Sequence, residues 1–295
     1  YQQGGGAGVC FLWKRKNDTQ NKFADYLNKG DLVIACFGHS SDTEGEASDR
    51  TFALPEVDKK MLASLSGCKK PIIGVVNAGG NIEMQGWVPT LKGLIWAFYG
   101  GQEAGTAVGE ALFGKINPSG KLPMTFEKKW EDNPAYNSYY DPDGDKHVAY
   151  TEGIFIGYRG YDKLKREVQY PFGYGLSYTT FKLSDLTVSK PNADGTVEVT
   201  CRLANTGKRD GAQVVQAYVG KTESSPVERP EKELRKFEKV FLQAGESTTV
   251  KMTLPKESFM YFDVNSTQFV TDPGTYNIML GFSSRDIKIQ KNIQY

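Results

Sequence analysis

Four carboxylates fall within eight consecutive positions of one polar segment, residues 38–53, and are the best-placed groups for chemistry in this chain. They are Asp42, Glu44, Glu46 and Asp49. Hydrolysis of a glycosidic bond needs one protonated carboxyl group, which donates to the leaving oxygen, and a second carboxylate opposite it. Crowded like charges, or burial under a bound sugar, raise a carboxyl pKa in the direction that such an acid requires.

The same spacing also fits a solvated acidic loop, and it does not identify a catalytic acid. Charged surface loops are common, and a contact between Asp49 and Arg50 would contribute little to stability there. The Arg50 guanidinium could instead hold a neighbouring carboxylate ionised through paired hydrogen bonds. His39 could touch a substrate or tune Glu46, although a hydrogen-bonded loop histidine is the more common case.

The apolar pattern around this segment predicts a mostly parallel α/β sheet. Short apolar runs are typical of strands buried on both faces, and apolar residues at helical spacing alternate with them. The predicted elements are strands 31–37, 71–77 and 91–98 and helices 56–66 and 103–113. Ligands of such sheets bind beyond the carboxyl ends of the strands, which is where the polar segment begins.

A second pattern begins near residue 182, where apolar and polar residues alternate. About seven short strands separated by glycine-rich turns predict a β-sandwich of immunoglobulin or fibronectin type III kind over residues 182–295. Residues 124–181 are rich in Tyr, Asp, Pro and Gly and are interpreted as an irregular connection. The α/β domain then covers residues 1–123, with residues 1–22 as its lead-in.

Composition argues against several classes of protein. The formal net charge of +1 gives no electrostatic footprint for a nucleic acid or an anionic membrane. No apolar run approaches the roughly 20 residues that a membrane span requires. The four cysteines lack the spacing of a zinc site. They also leave the compartment unknown, with a periplasmic or secreted location preferred to a cytoplasmic one.

Together with its surroundings, the segment from Glu44 to Pro55 resembles the acid/base loop of glycoside hydrolase family 3. That loop has an E-G-x-D-R or E-A-x-S-R core before L-x-(L/I)-P. Further matches follow in family order, at residues 76–80 with Trp87, 100–105, 109–114, 117–123, 150–159, 170–181, 205–211 and 229–238. The resemblance runs from about residue 23 to the C-terminus. It implies an α/β sandwich domain, a connection and a fibronectin type III-like domain, as in family 3 β-glucosidases.

The resemblance also implies roles for the loop residues. Glu46 falls on the acid/base position, because it stands three residues before Asp49 as in E-G-x-D-R. Glu44 is the fallback for that role. Asp49 and Arg50 match loop-shaping positions and are not expected to be catalytic. The implied activity is that of a retaining exo-β-glycosidase that needs no metal or cofactor, with a β-glucosidase acting on terminal non-reducing β-D-glucosyl residues expected first.

The second catalytic carboxylate of the family has no counterpart in this sequence. The family nucleophile is an Asp in a (β/α)8 barrel, and Asp263, which follows an aromatic residue, falls in the predicted sandwich instead. We therefore expect a barrel, from the same polypeptide or a companion chain, placed before or after this segment.

Several questions about partners and activity stay open at this point. The expected substrates are β-linked glucosides or oligosaccharides; a nucleic acid or a membrane is not expected, and a homo-oligomer is left open. A β-xylosidase or another exo-β-glycosidase is the alternative activity. A carbohydrate-binding or scaffold fragment, inactive alone, is the alternative that is not an enzyme.

Overall fold

The computed structural model describes most of the chain, in two compact units that divide after Phe113. The described residues are 9–12, 30–41, 43–46, 49–141 and 144–295. Of the expected lead-in, only residues 9–12 are therefore described. Asp42 of the predicted carboxylate loop lies outside the described residues.

The first unit contains a four-stranded sheet in the order β1-β2-β3-β4, in which all neighbouring strands pair in parallel. Its strands are β1 (Val9–Leu12), β2 (Leu32–Gly38), β3 (Ile72–Asn77) and β4 (Gly93–Trp96). Helix α1 (Glu56–Ser64) lies between β2 and β3 in the chain, and helix α2 (Ala104–Leu112) follows β4. The predicted parallel α/β sheet is thus confirmed.

Successive buried residues explain why the strands of this sheet appear as apolar runs. Val33, Ile34 and Ala35 of β2 are all buried. Since neighbouring side chains of a strand point to opposite faces, both faces are covered at this point. Val75 and Val76 repeat the arrangement in β3. The carboxylate loop therefore leaves a strand that is fixed from both sides.

Gly38 ends β2 in a conformation that favours glycine and starts the carboxylate loop. Its φ is +140°, and a Cβ at this position would lie 1.9 Å from the Asn77 carbonyl oxygen at the end of β3. The next residue, His39, donates its backbone N–H to that same oxygen at 2.8 Å. Asp58 of α1 accepts the Gly38 N–H at 3.1 Å. These contacts fix where the loop begins.

The second unit contains the predicted β-sandwich, built from two antiparallel sheets. One has the order β10-β9-β14-β15, with β9 (Gly211–Lys221), β10 (Glu233–Leu242), β14 (Thr275–Ser283) and β15 (Asp286–Gln294). The other has the order β11-β8-β7, with β7 (Phe181–Val188), β8 (Val197–Asn205) and β11 (Ser247–Leu254). A hairpin of β12 (Met260–Asp263) and β13 (Gln268–Thr271) completes it.

Alternation along the strands fills the sandwich core. In β8, Val197, Val199, Cys201 and Leu203 are all buried, whereas Glu198 between them is exposed. Residues of β9, β11 and β14 pack against them in one cluster. Both predicted domain types, an α/β sheet followed by a β-sandwich, are therefore present in the expected order.

The segment before the sandwich is more regular than expected. It contains helix α3 (Gly157–Lys163) and a short antiparallel pair, β5 (Phe126–Glu127) with β6 (Val168–Tyr170). Gly160 allows this structure, because a Cβ there would lie 2.0 Å from the Phe155 carbonyl oxygen. Because glycine has a low helix propensity, a short helix that contains glycines is not predicted from the spacing of its apolar residues. Across the described residues, the helices all fall short of the length and apolar character that a membrane span needs.

Candidate active site

The candidate site lies at the carboxyl edge of the parallel sheet, where three loops leave β2, β3 and β4. The first loop carries Glu44, Glu46 and Arg50, the second begins with Ala78 and Gly79, and the third carries Tyr99. Because parallel strands all end at one edge, these loops are brought together although their residues are far apart in sequence. Glu44 is the residue at which the three loops meet.

The Glu44 carboxylate accepts hydrogen bonds from all three loops. Arg50 Nε donates to Oε1 at 3.1 Å. The backbone N–H of Gly79 donates to Oε2 at 3.2 Å. The hydroxyl of Tyr99 donates to the same oxygen. The Glu44 and Arg50 side chains are only 22% and 18% exposed, so their contact is better protected from water than an ordinary surface ion pair.

The electrostatics of this contact favour an ionised Glu44. Partial burial works to raise the pKa of Glu44, but the hydrogen bonds from Tyr99 and Gly79 and the Arg50 charge outweigh it and lower the pKa below 4.5. The hydrogen bond from Tyr99 to Glu44 also affects the pKa of Tyr99. Desolvation of the hydroxyl, together with the adjacent carboxylate, raises the pKa of Tyr99 to about 12. Tyr99 therefore remains a neutral donor to a charged acceptor.

Glu46 differs from Glu44 in both exposure and contacts. Its side chain is exposed. Within the part of the chain that the structure describes, this side chain makes no hydrogen bond or ion pair. Glu44 is thus held by three donors, whereas the exposed Glu46 carboxylate is not. This contrast distinguishes the two residues that the sequence left as candidate and fallback.

Arg50 anchors the loop on the other side of Glu46. Besides Glu44, it contacts the loop after β3, since its Nη2 donates to the Asn81 carbonyl oxygen at 2.7 Å. It donates to Glu44 through Nε. Asp49, its neighbour, is exposed. The contacts of Arg50 suit a loop-shaping residue.

His39 is buried, with 6% of its surface exposed. Its Nδ1 lies 3.1 Å from Thr43 Oγ1, so it forms part of the turn that leads to Glu44. Burial and the nearby Arg50 lower the pKa of His39, which favours the neutral ring. These observations favour the loop histidine of the two interpretations, because a substrate contact would require an accessible ring nitrogen.

Asp263, which the sequence placed in the sandwich, does lie in the second unit. Asp263 belongs to the β12–β13 hairpin, where its carboxylate accepts hydrogen bonds from Ser266 and Asn265 of the same turn. These contacts are typical of a turn-capping carboxylate. Among the described residues there is also no cluster of three groups that could hold a metal ion.

Comparison with known proteins identifies the family. The family model described as Glycosyl hydrolase family 3 C-terminal domain matches residues 10–158. The chain belongs to glycoside hydrolase family 3. A second model, the fibronectin type III-like domain, matches residues 213–284 within the sandwich. Both parts of the resemblance found in the sequence are confirmed.

Related proteins match nearly all of this chain but only part of their own length. Thermostable beta-glucosidase B of Acetivibrio thermocellus is 38% identical over 277 residues, which are 93% of this chain and 36% of that protein. An exo-alpha-(1->6)-L-arabinopyranosidase of Bifidobacterium longum is 35% identical over 91% of this chain and 35% of its own length. The chain thus spans about a third of the length of such curated relatives.

Solved structures show the same relation. The GH3 beta-glucosidase of Bifidobacterium adolescentis superposes with a TM-score of 0.88 at 33% identity, covering 96% of this chain and 42% of that one. Beta-glucosidase 3B of Thermotoga neapolitana, solved in complex with alpha-D-glucose, gives 0.85 at 33% identity over 94% of this chain and 39% of that one. Within family 3, this chain therefore corresponds to a part of a larger architecture.

Sequence reasoning missed two residues of the candidate site, Gly79 and Tyr99. The available signal was positional, because each follows a parallel strand and so belongs to the same edge as the carboxylate loop. Nothing in the spacing connects them to Glu44, from which they are 35 and 55 residues away. Their contacts with it depend on the sheet.

Proposed function

We propose that this chain is the acid/base-bearing part of a retaining exo-β-glycosidase, with Glu46 as the acid/base and β-glucosidase as the activity. The observation that carries the proposal is the difference in exposure and contacts between Glu46 and Glu44. Glu46 is exposed and unpartnered among the described residues, at the ligand-binding edge of the sheet, while Glu44 is engaged by three donors. The names of the Acetivibrio and Bifidobacterium adolescentis relatives support the glucosidase assignment.

The proposed reaction needs a second carboxylate from a barrel domain. That Asp attacks the anomeric carbon while the glycosidic bond breaks, and protonated Glu46 donates its proton to the departing oxygen. A covalent glycosyl-enzyme results, and the sugar departs when water attacks the same carbon. Glu46, now ionised, removes a proton from that water, and the Asp leaves. In retaining enzymes the two carboxyl groups lie about 5–5.5 Å apart.

The test compares leaving groups in a polypeptide that carries a barrel. The chain is studied together with a barrel domain, whether that barrel belongs to the same polypeptide, to a companion chain or to a family 3 β-glucosidase to which the chain is fused. In Glu46→Ala, kcat for a poorly leaving alkyl glucoside should fall by about 100- to 10,000-fold, which is the usual contribution of a general acid. A dinitrophenyl glucoside, which leaves without protonation, should still form the glycosyl-enzyme, and azide should then speed turnover by replacing water.

A matched control separates chemistry from folding. Glu83 is an exposed glutamate of the loop after β3, and Glu83→Ala should behave as wild type on both glucosides. Equal thermal stability of the two variants shows that the fold is intact. Near-normal turnover of the alkyl glucoside by Glu46→Ala refutes the assignment. A fused enzyme that is inactive with Glu46 intact favours the alternative of a non-catalytic fragment.

A second exo-glycosidase activity has an observation in its favour. The Bifidobacterium longum relative, named for an L-arabinopyranosidase, is 35% identical to this chain, close to the 38% of the Acetivibrio β-glucosidase. Similarity in this part of the protein therefore does not select the sugar. We propose that the barrel does so, and a panel of nitrophenyl glucosides, xylosides and arabinosides, measured with the barrel that naturally accompanies this chain, identifies the activity. The panel also tests the β-xylosidase alternative.

A further inference from the structure

Glu44 connects three loops through one carboxylate. Two of its donors, the Gly79 N–H and the Tyr99 hydroxyl, come from the loops after β3 and β4, and the third is Arg50 of its own loop. We propose that Glu44, Tyr99 and Arg50 are positioning residues whose shared hydrogen bonds fix where Glu46 presents its carboxyl group. This inference rests on the proposed role of Glu46. It adds the residues that connect the Glu46 loop to the loops after β3 and β4.

The anchors stand on both sides of Glu46. Glu44 precedes it by two residues and Arg50 follows it by four. Arg50 is itself fixed to the loop after β3 by its 2.7 Å bond to the Asn81 carbonyl oxygen. Since the described residues give the Glu46 side chain no partner, its position depends on how well the backbone on either side is held. Catalytic groups need this support to stay within about 0.5 Å of a productive geometry.

The Glu44 and Tyr99 side chains fill the space next to Gly79. A Cβ at position 79 would lie 2.7 Å from Glu44 Oε1 and 3.2 Å from Tyr99 Cε2. A side chain at this position would therefore require the Glu44 carboxylate to shift. Gly79 therefore donates its N–H to Glu44 and, because it has no side chain, also leaves room for Glu44 and Tyr99 to come into contact.

Tyr99 contributes through its hydroxyl more than through its ring. The residue is 56% exposed, so it adds little to the apolar core. Its hydroxyl nevertheless reaches a carboxylate that is 55 residues away in sequence. A hydrogen bond to a charged acceptor is roughly twice as strong as one between neutral groups. Tyr99→Phe therefore removes one strong contact while leaving the ring and its packing in place.

The proposal predicts an effect that depends on the leaving group. A misplacement of about 1 Å can cost about 100-fold in rate. We expect Glu44→Ala to lower kcat on an alkyl glucoside by about 10- to 100-fold, because only that substrate needs a well-placed acid. The dinitrophenyl glucoside should lose less than about threefold in its glycosylation step, since it leaves without a proton. Tyr99→Phe should show the same pattern at about three- to tenfold.

The experiment uses the barrel-containing polypeptide and four variants. They are Glu44→Ala, Tyr99→Phe, the double variant of both, and Glu83→Ala as the exposed control. Because Tyr99 acts through Glu44, the double variant should be no slower than Glu44→Ala. Azide should not rescue Glu44→Ala, since the acid/base Glu46 still fills its place. Melting temperatures of all variants are measured alongside the rates.

Each alternative has its own signature. Equal losses on both substrates, in proportion to lost thermal stability, would mean that Glu44 only supports the fold, and would overturn the inference. Azide rescue of Glu44→Ala would make Glu44 the acid/base and overturn both assignments. If Glu46→Ala stops turnover of the alkyl glucoside while Glu44→Ala is normal, the positioning inference fails and the proposed function stands. Normal turnover of the alkyl glucoside by Glu46→Ala would refute the proposed function itself.

Discussion

Replacement of Asp272 by asparagine tests how far the sandwich depends on one buried carboxylate. The Asp272 side chain is 6% exposed, and its Oδ1 lies 3.0 Å from Lys221 Nζ. Its Oδ2 lies 3.3 Å from Arg229 Nη1. The two cationic side chains are 2% and 10% exposed, so the variant leaves both charges where water hardly reaches them. Removal of one partner from a buried pair costs about 3–5 kcal/mol.

The remaining contacts place the expected loss at the lower end of that range. Lys221 Nζ still donates to the backbone carbonyl oxygens of Asp272 and Pro273. Arg229 Nη2 still donates to the carbonyl oxygen of Met260. We therefore expect a loss of about 3 kcal/mol in the free energy of unfolding. For a unit of this size, that corresponds to a fall of about 6–12 °C in melting temperature.

Guanidinium unfolding followed by circular dichroism measures the loss. The control is Glu238→Gln, the same carboxylate-to-amide change in a pair with Lys236 that is 4.0 Å apart and 43–44% exposed. An exposed pair of this kind contributes at most about 1 kcal/mol. The reasoning is refuted if Asp272→Asn costs less than about 1 kcal/mol, or no more than the control. A changed denaturant dependence would instead indicate an altered unfolded state.

Three further predictions concern other contacts. Gly38→Ala should destabilise the first unit by about 1–3 kcal/mol or more, from strain at φ +140° and the clash with Asn77, as measured by chemical unfolding. Asn205→Ala should cost at least about 2 kcal/mol by the same measurement, because Asn205 is buried and bonds Thr179, Gly207, Arg209 and Leu242. The pKa of Glu44 is lowered from 4.5 by folding, so its contribution is present above pH 4.5 and is lost as pH falls through the lower folded value. The difference in melting temperature between wild type and Glu44→Gln should accordingly shrink below pH 4.5, and a constant difference would contradict this.

The elements of the fold could be predicted because their patterns are local. Strand β3 begins within one residue of its predicted start and ends where predicted. The sandwich strand β8 shows the expected alternation, with its inward residues buried. Helix α3 could not be predicted, since it begins at Gly157 and contains Gly160, two residues that weaken any helical signal. Local propensity is informative only where packing does not override it.

The candidate site could be predicted only in part. The position of the carboxylate loop follows from the rule that parallel strands end at one edge, and the structure has it there. The division between Glu44 and Glu46 does not follow from any spacing. Glu44 is distinguished by donors 6, 35 and 55 residues away, which meet it only after the sheet has formed. The family resemblance selected Glu46, but it gave no physical reason for that choice.

The contacts of the two glutamates supply such a reason. An acid/base group must donate a proton in one step and accept one in the next, so it has to exist in both forms at the site. Donors from Arg50, Gly79 and Tyr99 all stabilise the ionised form of Glu44, which makes it a poor proton donor. Glu46 carries no such donors among the described residues. Under the proposed function, Glu44 is therefore the ionised carboxylate that fixes the geometry of the loop, and Glu46 carries out the chemistry together with a barrel domain.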